Sequence, residues 1–424
     1  MTGSTALLTD RYELTMVDAA LRSGQAAKRS VFELFTRSLP PRRAYGVVAG
    51  TGRAIDAVVD FRFGDEELDW LADNNVVSPR AIDYLAGYRF TGDMWGFLEG
   101  DLYLADSPVL TVESSFAEAV VLETVLLSIF NHDSAVASAV ARMVDAADGR
   151  ALIEGGARRA HESAAVAAAR AAYLAGATAT SNLEAGRAYG IPTIGTIGHA
   201  FVLAHPSERQ AFEAQHQLLG SDTTYLVDTF DIETGIRTAV DVAGPTLGGI
   251  RIDSGDLAIE ARAARRLLDE LGATEARIIV SGDLDEWTMA ALADAPIDGY
   301  LVGTNLITGS GHPTASMVYK LVAIEADGRL QSVNKRSPGK GTVGGRKAAF
   351  RLADHDLLVV DNERPLTEVP GPGRRLQVPL IHDGRVTVQP PLDSSRAWCR
   401  TSLAELPDEA RRPDAFPTES RVRV

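Results

Sequence analysis

The sequence predicts an α/β protein built around a β/α barrel, and three observations indicate that class. Short apolar segments alternate with helix-like segments between about residues 150 and 325. Several of the apolar segments end in glycines or carboxylates, as strands do at the catalytic rim of α/β barrels and open α/β sheets. Seven strand–helix units in succession imply parallel pairing through right-handed crossovers. A count that approaches eight indicates a closed, irregular barrel, and an open doubly wound sheet is the competing architecture.

The N-terminal part of the chain, to about residue 150, mixes helices and strands. Glu13 begins a helical segment that Gly24 ends, since glycine commonly follows the last residue of a helix. Ser30–Phe35 has the pattern of a strand. Two helices with long apolar faces are expected at about 115–130 and 133–147.

Strands and helices alternate regularly through the middle of the chain. The predicted strands are Ala151–Ile153, Thr178–Thr180, Thr193–Ile197, Thr224–Val227, Leu247–Ile252, Arg277–Val280 and Gly299–Val302. The predicted helices between them include His161–Ala175, Pro206–Leu219 and Leu257–Leu271. No G-x-G-x-x-G opens a helix and no Walker P-loop is present, so neither of these nucleotide-binding motifs is indicated.

After about residue 325 the sequence is rich in strand and turn signals. Ser337–Gly345 is expected to be a flexible basic loop, and the charged tail from Arg411 is expected to fray. The cations of this region, at 335, 336 and 340, either contact phosphates or form a solvated surface, and the second alternative is favoured.

Composition excludes several classes of protein. The 424 residues leave room for two or three domains, and 45% hydrophobic with 23% charged residues is ordinary for a globular protein. A net charge of −15 excludes an overall basic field for nucleic acid or anionic membrane, although not a local phosphate pocket. The single cysteine, Cys399, allows no internal disulfide and no cysteine-based zinc site. We expect a cytosolic protein, because Met1–Asp10 lacks a secretory pattern and no apolar run approaches ~20 residues.

His199 is the most distinctive candidate for chemistry. It ends the glycine-rich run Thr193-Ile194-Gly195-Thr196-Ile197-Gly198-His199 after a predicted strand. An imidazole there can act as a base, a metal ligand or a nucleophile that becomes phosphorylated. The ordinary alternative is a packed loop histidine, but its place at a strand end favours function. No H-x-x-x-H spacing supports a metal site.

Carboxylates and an arginine follow the strand predicted at 247–252. In Asp253-Ser254-Gly255-Asp256 the carboxylates suit sugar hydroxyls or Mg²⁺, while Asp253 or Ser254 is alternatively the N-cap of the next helix. Arg251 alternates with Asp253, so both are expected to face the barrel interior. A buried arginine there requires an anion, either a carboxylate or a substrate group.

Other strand ends repeat this pattern. Ser281-Gly282-Asp283 and Gly303-Thr304-Asn305 place glycine backbone at neighbouring strand-to-helix turns, a usual place for a phosphate in a barrel. Two alternatives of equal weight apply to the run Asp228-Thr229-Phe230-Asp231. Either it belongs to the active site, or Phe230 packs in the core and Asp231 caps a helix. Tyr12 either stacks on a planar ligand or packs in the core, and core packing is the default expectation.

Taken together, these segments resemble the nicotinate phosphoribosyltransferases over most of the chain. Each block is short, and their number and order make the resemblance specific. The blocks are Leu7–Tyr12, Phe32–Arg37, Glu99–Asp101, Arg158–Ala160, Thr180–Asn182, Gly195–Phe201, Arg251–Asp256 and Val302–Thr304.

The resemblance implies a reaction and a fold. Nicotinate and 5-phosphoribosyl 1-pyrophosphate give nicotinate mononucleotide and pyrophosphate in NAD salvage, driven by ATP hydrolysis through phosphohistidine, with Mg²⁺ required. The implied fold is an irregular β/α barrel of the type II phosphoribosyltransferases at 131–325. A second α+β domain combines residues 1–130 with the β-rich residues 326–424. A homodimer with shared active sites is implied as well.

The resemblance also implies roles for single residues. His199 is the phosphorylated residue, Arg251 lies by the ring and the ribose, and Asp253 holds ribose hydroxyls, so these three are the expected catalytic residues. Tyr12 stacks on the pyridine ring from a neighbouring subunit, and Arg37 approaches phosphates across the dimer interface. No residue is assigned as a metal ligand. The expected substrate-binding residues are Tyr12, Arg37, Arg158, Ser181, Asp228, Gly282, Asp283, Gly303 and Thr304.

Two positions bear on the choice of pyridine. The related nicotinamide enzymes carry an aromatic residue where this chain has Gly155, so the second wall of the ring site is left without a residue. Those enzymes carry an acidic residue where this chain has Ser181, and a serine can donate to a carboxylate that an aspartate would repel. This favours nicotinate. The alternatives are a phosphoribosyltransferase for nicotinamide or another pyridine, and a barrel that binds nucleotides without turnover.

Overall fold

A computed structural model describes residues 4–335, 343–352, 356–360, 362, 373–413 and 422–423. These residues form two compact units. The first unit draws on residues 1–135, 314–410 and 415–424, and the second on residues 136–313 and 411–414.

The helices and strands of the described residues are numbered in chain order. The helices are α1 (Arg11–Ser23), α2 (Thr51–Val59), α3 (Asp65–Asp73), α4 (Pro79–Ala86), α5 (Phe116–Val120), α6 (Glu123–Ala147), α7 (Glu162–Ala175), α8 (Leu183–Tyr189), α9 (His199–Leu203), α10 (Glu208–Leu219), α11 (Ile232–Ala243), α12 (Leu257–Glu270), α13 (Glu286–Ala291), α14 (Thr304–Ile307), α15 (Leu392–Ala404) and α16 (Asp408–Arg411), with a 3₁₀ turn at Ala157–Arg159. The strands are β1 (Arg29–Thr36), β2 (Gly46–Val47), β3 (Asp93–Phe97), β4 (Leu102–Tyr103), β5 (Leu110–Ser115), β6 (Ala151–Glu154), β7 (Ala179–Thr180), β8 (Thr224–Leu226), β9 (Gly249–Ile252), β10 (Arg277–Ser281), β11 (Gly299–Val302), β12 (Met317–Ala326), β13 (Arg329–Ser332), β14 (Lys347–Arg351), β15 (Asp356–Val360), β16 (Arg374–Arg375), β17 (Gln377–His382), β18 (Arg385–Val386) and β19 (Val422–Arg423).

The first unit is built on an antiparallel sheet with the strand order β13-β12-β1-β5-β3-β17-β18. All residues of β1 except Arg29 are buried, because this strand has neighbours on both sides and apolar cover. Phe32 of β1 stacks on Tyr319 of β12 with 4.9 Å between ring centroids. The buried carboxylate of Glu33 is paired with Lys347, Nζ to Oε2 at 2.6 Å, so that charge does not stay unpaired in the core.

The second unit is a β/α sheet in which every pairing is parallel. Its strand order is β7-β6-β11-β10-β9-β8. The last strand along the chain, β11, pairs with the first, β6, as in a barrel, and Thr193 adds an isolated parallel bridge beside Thr180 of β7. Only the step from Thr193 to β8 has no backbone pairing in the described residues, so the sheet is an interrupted barrel. The predicted α/β class, with a β/α barrel-like sheet and a second mixed domain, is confirmed.

Two predicted elements are wrong in detail. Thr193–Ile197 is not a strand, because its residues from 193 to 196 are exposed and their β-branched side chains have no core to pack against. The helix predicted at 115–130 ends at Val120, and α6 then runs unbroken through 133, where a second helix was expected. No glycine or proline interrupts α6, and the buried Asp133 within it is held by Arg53 at 2.7 Å.

The basic loop and the tail are described only in part. Residues 336–342 and 414–421 lie outside the described residues. Before that gap the tail does not fray, since the carbonyl of Pro413 accepts hydrogen bonds from Arg142 (2.5 Å) and from the indole of Trp287 (3.0 Å). In the part of the chain that the structure describes, no helix combines the length and apolar character needed to cross a membrane.

Candidate active site

His199 is the first residue of α9, directly after Gly198 as the N-cap. Its Nδ1 lies 3.1 Å from the hydroxyl of Thr229. Its Nε2 lies 3.8 Å from Oδ1 of Asp228 and 3.9 Å from Oδ2 of Asp253. The side chain is 40% exposed, so a ligand can reach it. Thr229 follows β8, and His199 follows the bridge beside β7. The contact between the Thr229 hydroxyl and His199 Nδ1 therefore joins the two edges of the sheet across the interruption in the barrel.

Asp228 organises the neighbouring strand end. Its side chain is 2% exposed. Its Oδ2 accepts hydrogen bonds from the backbone N–H of Asp253 and from the hydroxyl of Ser254, both at 2.8 Å. Its Oδ1 is buried without a hydrogen-bond partner among the described residues, and His199 Nε2 lies 3.8 Å from it. A buried acceptor of this kind is normally satisfied, so a proton or a cation is expected there during function.

Asp253 is fixed from one side and open on the other. Its Oδ1 accepts a hydrogen bond from the hydroxyl of the buried Ser281 at the end of β10, and its Oδ2 faces His199. The expectation that Asp253 or Ser254 caps α12 is wrong. Asp256 is the cap, and it accepts from the N–H groups of Ala258 and Ile259 at 3.1 Å each. Asp253 is therefore left free for a ligand, since the helix does not need it.

Arg251 supplies positive charge beside these carboxylates. It lies in β9 opposite Leu226 of β8 and Ile279 of β10. Its Nε is buried and has no hydrogen-bond partner among the described residues. No described carboxylate forms an ion pair with it, so the anion that a buried arginine requires is left to a ligand.

The two glycine turns predicted to hold phosphate lie side by side. Gly282 has φ +107°, and a Cβ there would come within 2.9 Å of the carbonyl oxygen of Asp253, so only glycine fits. Asp283 follows with φ +41°. The side-chain amide of Asn305 donates to the carbonyls of Asp283 (3.1 Å) and Leu284 (3.2 Å), which joins this turn to the one at Gly303 and Thr304.

The residues expected at the pyridine ring lie at the ends of β6 and β7. Ser181 is exposed, and its N–H donates to the carbonyl of Glu154 at 2.9 Å. Arg158 is exposed in the 3₁₀ turn after β6. A Cβ on Gly155 would come within 2.7 Å of Leu301 Cδ2, so a larger side chain needs Leu301 to move. The structure gives no second ring wall at this position.

Glu154 is a buried residue of the site that the sequence analysis missed. Its carboxylate accepts from the N–H of Gly156 and from the hydroxyl of Thr180, which ties the turn after β6 to the end of β7. Burial raises the pKa of this carboxyl above its ordinary value, and the two hydrogen bonds offset only part of that rise. The available signal was a carboxylate directly after the apolar Leu152-Ile153, at the end of a predicted strand.

Tyr12 and Arg37 belong to the first unit, whereas the other predicted site residues belong to the second. Tyr12 is 46% exposed at the start of α1, so the expectation of core packing is wrong. Partial burial and the nearby carboxylates of Glu123 and Glu13 raise the pKa of the Tyr12 hydroxyl, so it stays protonated. Arg37 follows β1 with its guanidinium 5.9 Å from the Phe35 ring, and its Nε is buried without a partner among the described residues.

The positions of Phe230 and Asp231 decide between the two alternatives for the segment 228–231. Phe230 is 65% exposed, so the alternative that packs it in the core is wrong. Asp231 does cap α11, with its carboxylate accepting from the N–H of Thr234 at 2.9 Å. The segment therefore starts a helix and also carries Asp228 beside His199.

Comparisons with known proteins show which family the chain resembles. The family model described as the nicotinate phosphoribosyltransferase (NAPRTase) N-terminal domain matches residues 7–131. The chain is 52% identical over 416 residues to nicotinate phosphoribosyltransferase pncB1 of Mycobacterium tuberculosis (strain H37Rv), covering 95% of this chain and 91% of that one. It is 41% identical over 360 residues to nicotinate phosphoribosyltransferase of Bacillus subtilis (strain 168), covering 82% and 73%.

A solved structure supports the same relationship. Human nicotinic acid phosphoribosyltransferase superposes with a TM-score of 0.82 at 26% identity, over 98% of this chain and 97% of that one. The nicotinate-nucleotide pyrophosphorylase of Pyrococcus furiosus shares the fold, with a TM-score of 0.79 at 22% identity over 95% of each chain. The chain therefore belongs to the nicotinate phosphoribosyltransferases, a family of enzymes.

Proposed function

We propose that the site around His199 condenses nicotinate with 5-phosphoribosyl 1-pyrophosphate, giving nicotinate mononucleotide and pyrophosphate in NAD salvage. ATP hydrolysis is coupled to this reaction through transient phosphorylation of His199. One observation carries the proposal: an accessible imidazole lies within 4 Å of two carboxylates, Asp228 and Asp253, at the strand ends of a barrel. Family membership supplies the substrates, since the relatives are named for this transfer.

The residues at the strand ends suit displacement at the anomeric carbon of the ribose. The transition state carries positive charge at that carbon, and pyrophosphate leaves as an anion. The open oxygen of Asp253 is available for ribose hydroxyls. Arg251 stands two residues before Asp253, and its buried Nε, which has no hydrogen-bond partner among the described residues, is available for an anionic group. The turns at Gly282-Asp283 and Gly303-Thr304 offer backbone to the 5′-phosphate end.

A Mg²⁺ ion fits the donors of this site. Asp228 presents a buried oxygen without a partner among the described residues, and Asp253 presents an open one, while Mg²⁺ usually takes one or two carboxylates together with substrate phosphates. When bound, Mg²⁺ neutralises charge on the pyrophosphate and orients it. The protein's own part is to keep the two carboxylates in place. Ser254 and the N–H of Asp253 hold Asp228, and Ser281 holds Asp253.

Nicotinate, rather than nicotinamide, is the proposed pyridine. Ser181 is exposed at the end of β7 and is neutral, so its hydroxyl is free to donate to the ring carboxylate. Arg158 is exposed near the same strand ends and adds positive charge. A carboxylate at 181 would instead repel the substrate.

A homodimer that shares its active sites is part of the proposal. Tyr12 presents an exposed ring, and Arg37 has a buried Nε without a partner among the described residues, so both are suited to a ligand held by a second copy. The second unit also exposes apolar side chains on segments that follow its strands, as a protein interface does. These side chains are Leu183, Ile194, Phe201, Phe230 and Ile259.

A panel of pyridines, each assayed with and without ATP, tests the proposal. The purified protein is incubated with phosphoribosyl pyrophosphate, Mg²⁺ and either nicotinate or nicotinamide, and pyrophosphate release is followed. We expect release with nicotinate, stimulated by ATP, and at least ten-fold less with nicotinamide. A preference for nicotinamide would assign another pyridine, and nucleotide binding without pyrophosphate release would indicate a barrel that binds without turnover.

A further inference from the structure

Glu154 is the last residue of β6, and its buried side chain contacts two turns of the proposed pyridine site. Its Oε1 accepts a hydrogen bond from the N–H of Gly156, and its Oε2 accepts one from the hydroxyl of Thr180. The residue is 1% exposed. A side chain buried to this degree acts on a ligand in the open site through its neighbours.

The hydrogen bond to Thr180 fixes the turn that carries Ser181. The Thr180 hydroxyl donates to Glu154 and accepts from the N–H of Asn182 at 2.9 Å. The N–H of Ser181, between these two residues, donates to the backbone carbonyl of Glu154 at 2.9 Å. Three consecutive residues are therefore held by Glu154, either directly or through one hydroxyl, while the Ser181 side chain is left exposed.

The hydrogen bond to Gly156 fixes the turn that carries Arg158. Gly156 is the N-cap of the 3₁₀ turn Ala157–Arg159. A Cβ on Gly156 would come within 2.9 Å of the carbonyl oxygen of Gly303 and within 3.1 Å of Glu154 Oε1, so this backbone is closely packed. The Arg158 side chain is exposed beyond this packed point and can meet an anionic ligand.

We infer that Glu154 is a positioning residue for recognition of the substrate carboxylate. Its side chain links the turn of Arg158 to the turn of Ser181, the cation and the hydroxyl that the proposed function directs at nicotinate. This inference rests on that proposed function. It adds a buried side chain that sets the distance between the two groups, because neither turn can shift without breaking a hydrogen bond to the same carboxylate.

The link requires two acceptors on one side chain. The N–H of Gly156 can only donate, and the Thr180 hydroxyl, whose oxygen already accepts from Asn182, donates as well. An ionised carboxylate satisfies both donors. Glutamine has the same size, but its amide nitrogen cannot accept, so Glu154→Gln keeps at most one of the two hydrogen bonds.

The test compares Glu154→Gln, Thr180→Val and the double variant with Thr180→Ser. Valine keeps the branched shape of threonine and removes the hydroxyl, whereas serine keeps the hydroxyl. Glu162→Gln is the matched control, because it removes the same charge from a side chain that is 87% exposed and lies 3.6 Å from His161. For each protein, kcat, the melting temperature and KM for nicotinate and for phosphoribosyl pyrophosphate are measured.

We expect KM for nicotinate to rise about five- to ten-fold in Glu154→Gln and in Thr180→Val, because each change breaks the link between the turns. The kcat at saturating nicotinate and KM for phosphoribosyl pyrophosphate should stay within about two-fold, since other strand ends hold the ribose and the phosphates. The double variant should exceed the larger single effect by no more than about two-fold, because both changes break the same link. Thr180→Ser and Glu162→Gln should match the unaltered protein within about two-fold.

Four results would overturn the inference. They are an unchanged KM for nicotinate in Glu154→Gln, a parallel rise of both KM values, single effects that multiply in the double variant, and equal losses in Thr180→Val and Thr180→Ser. If Glu154→Gln does not fold, the comparison of Thr180→Val with Thr180→Ser decides by the same criteria.

The unaltered protein separates this inference from the proposed function. If it releases no pyrophosphate from nicotinate and phosphoribosyl pyrophosphate, the proposed function fails and the role of Glu154 fails with it. If it does release pyrophosphate and Glu154→Gln keeps a normal KM for nicotinate, the proposed function stands and only the role of Glu154 is lost.

Discussion

Asp228 holds Asp253 in place through the backbone: the N–H of Asp253 donates to Oδ2 of Asp228 at 2.8 Å. The carboxylate at the end of β8 thus fixes the turn at the end of β9. The other oxygen of Asp228 faces His199. One buried side chain therefore sets the distance between the imidazole and the second carboxylate.

Removing this carboxylate is expected to lower both stability and activity. In Asp228→Ala the N–H of Asp253 and the hydroxyl of Ser254 lose their acceptor, which costs about 1–3 kcal/mol of unfolding free energy. ATP-stimulated turnover is expected to fall at least ten-fold. Asp241→Ala, at an exposed ion pair with Arg209, is the control and should change stability by less than about 0.5 kcal/mol. Urea unfolding and steady-state rates measure both effects, and equal behaviour of the two variants would contradict this role.

The charge at position 181 is expected to govern the choice of pyridine. Ser181→Asp should raise KM for nicotinate about ten-fold or more, because a carboxylate would face the substrate carboxylate. Asparagine has nearly the same size as aspartate but carries no charge, so Ser181→Asn is the matched control. Kinetics with nicotinate and nicotinamide give the measurement. Unchanged nicotinate kinetics in Ser181→Asp would remove Ser181 from the ring site.

Gly282 is expected to tolerate no side chain. Its φ is +107°, and an added Cβ would meet the carbonyl of Asp253 at 2.9 Å, so Gly282→Ala should displace the turn that carries Asp253. Gly244 also has a positive φ, +81°, with no atom within 4 Å of an added Cβ. Gly244→Ala therefore reproduces the backbone strain without the clash. We expect KM for phosphoribosyl pyrophosphate to rise several-fold in Gly282→Ala and not in Gly244→Ala. The same KM in both variants would show that the clash with the carbonyl of Asp253 does not affect substrate binding.

Much of this arrangement follows from sequence because the strands end in recognisable residues. The parallel order, the place of His199 and the carboxylates after β8 and β9 all follow from apolar segments that end in polar turns. The strand at 193–197 does not form, because β-branched residues favour a strand only where a neighbouring strand and a core receive them. Asp133 likewise lies within α6, since a polar residue does not end a helix when Arg53 satisfies it.

Side-chain partners across the barrel could not be predicted in the same way. The motif that contains Thr229 does not predict its contact with His199, because that contact depends on how two edges that are distant in sequence meet. The choice of Asp256 as the cap of α12 depends on the backbone angles of the turn, which the residue types alone do not set. The exposure of Phe230 and Tyr12 is a tertiary property for the same reason.

Glu208 is expected to make stability depend on pH. Burial, with a smaller contribution from Asp231, raises the pKa of this carboxyl from 4.5 to about 7. The folded state therefore binds more protons than the unfolded state between these values, and stability falls as pH rises from about 4.5 to 7. Glu208→Gln removes this loss. Its unfolding free energy should match that of the unaltered protein near pH 4.5 and exceed it by about 2–3 kcal/mol at pH 8.

Glu233→Gln is the control for that measurement, because Glu233 is exposed on α11 and pairs only with Arg237. Urea unfolding at several pH values should show no such divergence for it. A constant difference between Glu208→Gln and the unaltered protein at all pH values would contradict the assignment.

Nicotinate mononucleotide synthesis by His199→Ala, with and without ATP, tests the central claim most directly. His205→Ala is the control, because in the unaltered protein Nδ1 of His205 donates to the carbonyl of Phe201 at 2.8 Å, away from the carboxylates. We predict that ATP accelerates the unaltered protein and His205→Ala. His199→Ala should keep a slow rate that ATP no longer changes. Full ATP stimulation in His199→Ala would contradict the account.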